Sequence, residues 1–186
     1  MQHWLKTIDQ SRSRLAATAQ LRPMRAGLDP TDVGHLIGSL DLEPPPGLVE
    51  LFTWHDGTDL SRDASLGQLW LWPGFYMPSL AQDVGNYEAF RTDERWRPEW
   101  FPLFADGGGD FYVSDTAHDG AIRRFRLEYS EHPIEFISLS SMVETIAIAY
   151  QSQVITVDTD GWLDQDDDAF AAVAARVNPD VAWWHD

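Results

Sequence analysis

Asp106, Asp110 and Asp115 come nearest, by type and spacing, to a chemical site in this chain. Asp106 and Asp110 flank Gly107–Gly108–Gly109, and Asp115 follows the apolar piece that comes next. Clustered carboxylates supply the hard oxygen ligands that Ca²⁺ and Mg²⁺ prefer. The same acids can instead accept hydrogen bonds from the N–H groups of a tight turn. The turn is the expectation, because this acid cluster lacks the fixed ligand spacing of a metal loop. A phosphate cradle fits less well. No Lys and no helix start follow the glycines, and the flanking carboxylates repel phosphate.

Other candidate chemistry is weaker. Thr156–Val157–Asp158–Thr159–Asp160–Gly161 has some of the character of a calcium loop, but Thr156 and Asp167 stand where such a loop needs Asp and Glu. A solvated acidic loop over Asp158 to Asp168 is expected, its last acids favourable at a helix N-terminus. His3, His35, His55, His118, His132 and His185 show no zinc spacing. His55 is expected at a helix C-terminus, where its charged form is favoured. There is no G-x-S-x-G elbow, and no two of Glu43, Glu50, Glu88 and Glu99 are placed as a pair for glycoside chemistry. No catalytic residue, metal or cofactor is assigned, and a non-enzymatic protein is the expectation. Trp54, Trp70, Trp72, Trp96 and Trp100 read mainly as core, although an exposed Trp is a typical binding hot spot.

The central acids sit on an expected β-hairpin. Trp100 to Ala105 and Phe111 to Val113 are its arms, and the glycines permit the positive φ that a tight reversal needs. On that reading Gly108→Val strains the turn. Helices are expected over Met1 to Arg22, from the Asp29–Pro30 start signal, and over Gly47 to His55, with Gly57 as a left-handed cap. Ser79–Leu80–Ala81–Gln82 and Ser141–Met142–Val143–Glu144 read as capping boxes, the first opening a helix to about Glu94. Thr58 to Ser65 reads as a polar loop and Leu66 to Trp72 as a strand. Further strands are expected near Ile122–Leu127, Ile134–Leu139 and Val154–Val157, and a last helix over Asp168 to Val177. Helices first, strands in the middle and helices again imply an α+β fold rather than a doubly wound α/β sheet.

A chain of 186 residues, 44% of them hydrophobic, is expected to form one domain with a sizeable core. The formal charge of −17 argues against nucleic acid and anionic membrane as direct partners and suits a basic protein. Cys is absent, which removes disulfides, thiolate metal sites and Cys nucleophiles. With no visible signal peptide and no long apolar run, a cytoplasmic location is expected.

Two landmarks then fit together. Pro45–Pro46–Gly47–Leu48–Val49–Glu50–Leu51–Phe52–Thr53–Trp54–His55–Asp56–Gly57 resembles the first conserved element of the SMI1/KNR4 family, also called the SUKH superfamily. Phe101–Pro102–Leu103–Phe104–Ala105–Asp106–Gly107–Gly108–Gly109–Asp110–Phe111–Tyr112–Val113 is similar to that family's central signature. The resemblance covers residues 29 to 150 approximately, leaving an N-terminal helix before it and an acidic extension, 151–186, after it. It implies an α+β fold with a mixed, mostly antiparallel central sheet flanked by helices, and a protein-binding role. Bacterial members are mostly inferred to be immunity proteins that neutralise polymorphic toxins, often nucleases or deaminases, and a fungal relative is a signalling scaffold. An intracellular scaffold is therefore the alternative, and a metal-dependent enzyme using the aspartates is a third reading. Trp54, Asp56, Gly57, Trp100, Asp106, Gly108, Gly109, Asp110 and Asp115 carry over as signature or partner-contact residues without assigned chemistry.

Overall fold

Short-range capping chemistry starts most of the helices in the computed structural model, which describes residues 1–40, 42–60 and 63–185. Helix α1 spans Gln2–Leu15 and strand β1 Met24–Ala26. Helix α2 (Pro30–Ile37) begins where Asp29 accepts the Thr31 N–H at 2.8 Å and Pro30 pre-sets the first helical φ. Helix α3 (Leu48–Trp54) leads directly into β2 (His55–Thr58). A short α4 (Leu66–Leu69) precedes α5 (Leu80–Phe90), where the expected Ser79/Gln82 box is formed. Strands β3 (Trp100–Ala105), β4 (Phe111–Asp115), β5 (Ala121–Phe125) and β6 (Ile134–Phe136) follow in sequence. The chain then runs through α6 (Leu139–Gln151), β7 (Ile155–Val157), β8 (Leu163–Gln165) and α7 (Asp167–Val177).

Strands β3 to β6 form one four-stranded antiparallel sheet in sequence order, while β1–β2 and β7–β8 are separate antiparallel pairs. The fold is α+β, as the order of elements implied. Every residue of β3 and β4 is buried, so this hairpin has a dry environment on both faces. Phe101, Leu103, Phe104, Tyr112, Ile122 and Phe136 join the main core beneath the helices. Trp100, Ala105, Phe111, Val113 and Phe125 form a second cluster with Trp96 on the outer face. A register shift between Pro102 and Phe104 explains why Leu103 and Phe104, adjacent in sequence, both reach the main core. Each such buried side chain contributes about 1.5–3 kcal/mol by leaving water. Leu5 and Ile8 of α1 and Phe170 and Val173 of α7 pack into that same core.

Several expectations need correction. The first helix stops at Leu15, because the chain turns to bring Met24 opposite Thr58 in the β1–β2 pair. Arg12 is buried at that bend and donates to the Trp70 and Arg22 carbonyls at 2.5 and 3.1 Å. Leu66 to Trp72 begins as helix rather than strand. Gln68 reaches back to accept the Ser65 N–H at 3.0 Å, a capping contact that outweighs the loose alternation. Helix α5 ends at Phe90, short of Glu94. Ser138, not Ser141, caps α6, with Ser141 supplying the reciprocal bond at 3.1 Å. The acidic loop expected from Asp158 contains β8, because the Asp158 carboxylate accepts the Asp160 and Trp162 N–H groups and folds the chain back. Ser61 and Arg62, within the expected polar loop, lie outside the described residues.

His55 is at once the C-cap of α3, its N–H donating to the Leu51 carbonyl, and the first residue of β2, while Gly57 belongs to the strand and not to a left-handed helix cap. Gly57 does adopt positive φ, +81°, but as a strand residue pressed against the backbone before α5. A Cβ there would stand 2.5 Å from the Pro78 carbonyl carbon, which is backbone and has no room to yield. Gly57→Ala is therefore expected to destabilise the fold by at least about 2 kcal/mol, from strain and collision together. Urea unfolding of the purified variant checks this; an unchanged midpoint would contradict the geometry.

Candidate functional site

The glycine reversal is built around one carboxylate oxygen. Asp106 Oδ1 accepts the N–H groups of Gly108, Gly109 and Asp110 at 2.7, 3.0 and 2.9 Å. Gly107 and Gly109 take φ of +84° and +108°, whereas Gly108 stays in ordinary backbone space. The strain expected at Gly108 thus falls on its two neighbours. Asp110 accepts the Leu127 N–H at 3.0 Å with one oxygen and faces Arg124 at 3.4 Å with the other. Asp115 lies at the far end of β4, about 15 Å along the strand at ordinary rise, and does not join the other two. It is almost fully buried, accepts the Ala117 N–H at 3.1 Å, and bonds Arg123 Nε at 2.5 Å and His118 Nδ1 at 2.9 Å. Burial opposes its charge, but the hydrogen bonds from Arg123 and His118 outweigh it and hold the carboxyl below its ordinary range. Among the described residues no cluster of three or more His, Cys, Asp or Glu is arranged to hold a metal ion.

The first landmark supports a different joint. Trp54 donates its indole N–H to Asp9 Oδ2 at 2.7 Å, and His55 Nε2 lies 3.0 Å from Asp9 Oδ1, which ties α3 and β2 to α1. Burial pushes the Asp9 carboxyl up, and the bonds from His55 and Trp54 bring it below its usual value. Asp56 is buried, accepts the Leu80 N–H at 2.9 Å and pairs with Arg25 at 3.0 Å. It therefore caps the first free donor of α5 from outside the helix and stabilises the positive end of its dipole. Trp100 packs against Trp96 and Phe125 in the outer cluster, opposite Asp115 in the β3–β4 register. The nine residues singled out from the sequence thus serve the α1–α3–β2 joint, the start of α5, the reversal and the outer sheet face.

Asp83, which sequence reasoning passed over, is fully buried one turn into α5, and among the described residues neither of its oxygens has a hydrogen bond of normal geometry. Burial raises its carboxyl well above the ordinary value; Asn86 offsets this slightly, and the nearby Asp56 adds to it. Its signal in the sequence was slight, since an acid in the first turn of a helix is usually a solvated dipole partner.

Beyond the aromatic cluster, the outer face of the sheet opens into a trough. Two adjoining hollows of about 770 and 580 Å³ share Ala117, His118 and Arg123. The smaller contains Trp100, Asp115 and His132, and the larger is walled by Pro133, Ile134 and Ile137 on one side and residues 180–183 on the other. That second wall also seals the edge of the sheet. Asn178, itself buried, accepts the Ile137 N–H at 3.1 Å, and Trp184 donates its indole N–H to the Glu135 carbonyl. An edge strand left with unpaired groups invites further pairing, and these two side chains remove that opportunity. Among the trough residues that the sequence did not assign are His118, Arg123, Ile137 and Trp183. The tail's Trp183 and Trp184 were the available signal.

Among the described residues no helix is long and apolar enough to cross a membrane. Compared with known proteins, the chain matches no protein-family model and no curated protein.

Two measurements test these assignments. Gly109→Ala is expected to cost about 1–3 kcal/mol, while Gly108→Ala costs far less, because only the former meets positive φ; paired urea titrations separate them. Asp83 has a folded pKa above its unfolded 3.8, so the folded state binds the extra proton. The contribution of Asp83 to stability is then most favourable in acid and is lost as pH rises from 3.8 toward the folded value. Asp83→Asn should raise the melting temperature at pH 7 and lose that advantage as the comparison is moved down toward pH 4. A gain independent of pH would contradict the assignment.

Proposed function

We propose that this chain is a non-enzymatic protein-binding domain of the SMI1/KNR4 type, acting as an immunity protein that neutralises a cognate toxin with a basic nucleic-acid channel. The observation that carries the reading is the internal engagement of the signature carboxylates. Asp106 serves three backbone N–H groups, Asp110 serves Leu127 and Arg124, and Asp115 serves Ala117, Arg123 and His118. Acids used in this way hold a scaffold together, and the surrounding surface is what a partner meets. The two landmark segments occur in the family's order within an α+β fold, which supports the same reading. The net charge of −17 would speed encounter with a basic toxin and disfavour competition by nucleic acid.

Neutralisation on this view is occlusion. An acidic, rigid domain covers the channel that a nuclease or deaminase needs for its substrate. The test is to express any toxin-like domain encoded by a neighbouring gene and co-purify it with this chain. A stable complex at micromolar concentration is expected, with an association rate that falls as salt rises, since long-range charge steering is screened. No complex at that concentration would overturn the proposal.

A further inference from the structure

The larger hollow of the trough joins an apolar floor to a charged rim. Its floor includes Ala121 and Ile134 from β5 and β6, and its walls include Val181. Ile137 and Trp183 also line it, 47% and 43% exposed, two of the five large apolar side chains left open among the described residues. Bulky apolar groups held open at a concave surface mark contact sites. The hollow, about 770 Å³, falls within the roughly 300–1,000 Å³ of known binding cavities. Its second wall is already fixed by Asn178 and Trp184, so little ordering is needed on binding.

Charge selects the occupant. Asp119 and Asp180 are exposed in the lining, and neither has an ion pair among the described residues. Arg123, the arginine of that lining, is already neutralised by Asp115, which His118 also bonds. Arg126 lies outside the lining, its guanidinium 4.4 Å from the Tyr129 ring centre and 5.7 Å from that of Trp183. A second copy of the chain brings another −17 and is repelled at long range. We propose that this hollow receives a bulky apolar side chain of a partner protein, flanked by Arg or Lys residues that reach Asp119 and Asp180. The proposal deepens the protein-binding reading above and rests on it.

The test uses two fluorescein-labelled peptides on the full chain, Gly-Arg-Trp-Arg-Gly and its counterpart Gly-Glu-Trp-Glu-Gly. Fluorescence anisotropy should show saturable, salt-sensitive binding of the Arg peptide and none of the Glu peptide. Ile137→Ser, at an exposed position, should weaken the Arg peptide about tenfold. Asp119→Asn and Asp180→Asn should each weaken it about threefold. In amide NMR spectra the Arg peptide should shift Ile134, Ile137 and Val181. No saturable binding, equal binding of both peptides, unchanged affinity in Ile137→Ser, or shifts confined to residues 158–168 would each overturn the proposal. No toxin takes part, so the hollow can fail this test while toxin capture succeeds, and capture can fail while the hollow binds its peptide.

Discussion

Both faces of the β3–β4 hairpin are dry, and the rest of the molecule is arranged around that constraint. A strand buried on both sides must pair its backbone groups within the sheet or at its ends. At the glycine end, one oxygen of Asp106 accepts three successive N–H groups. At the other end, Asp115 accepts the Ala117 N–H and anchors Arg123 across the strand pair. With both ends closed, the register of β4 against β5 follows, and with it the division of side chains between the two cores. A slip of one residue would exchange those faces.

The acidity of the chain has two different physical meanings. Some carboxylates are internal fixtures: Asp56 at the start of α5, Asp106 in the reversal and Asp115 under the trough. Asp83 is a burial without a good partner, and its charge costs stability near neutral pH. The exposed acids, including Asp119 and Asp180 at the trough rim, form the field that an approaching molecule feels first. The C-terminal turn links structure to that surface. Asn178 and Trp184 satisfy the outer edge of β6, and Trp183 between them remains open to the trough. The contact that protects the sheet edge thereby also shapes the adjoining hollow.

What the sequence determined by itself was whatever depends on neighbours a few residues apart. Asp29–Pro30 and Ser79 with Gln82 announced their helices because capping bonds close within one turn. Leu48, Leu51 and Phe52 announced a buried face by helical spacing. The glycines between Asp106 and Asp110 announced a reversal, since few other residues tolerate positive φ. Local signals failed where two were in competition. Ser141 read as the cap, yet Ser138, three residues earlier, holds that place, and Leu66 to Trp72 alternates loosely yet begins with a capping contact. Only the tertiary structure separated Asp115 from Asp106 and Asp110, gave Asp56 to the Leu80 N–H, and buried Asp83. It alone assembled the trough from residues near 117–123, 133–137 and 180–183. The physical reason is distance along the chain: a carboxylate's partner or a cavity's opposite wall can lie many residues away, and no local periodicity encodes that meeting.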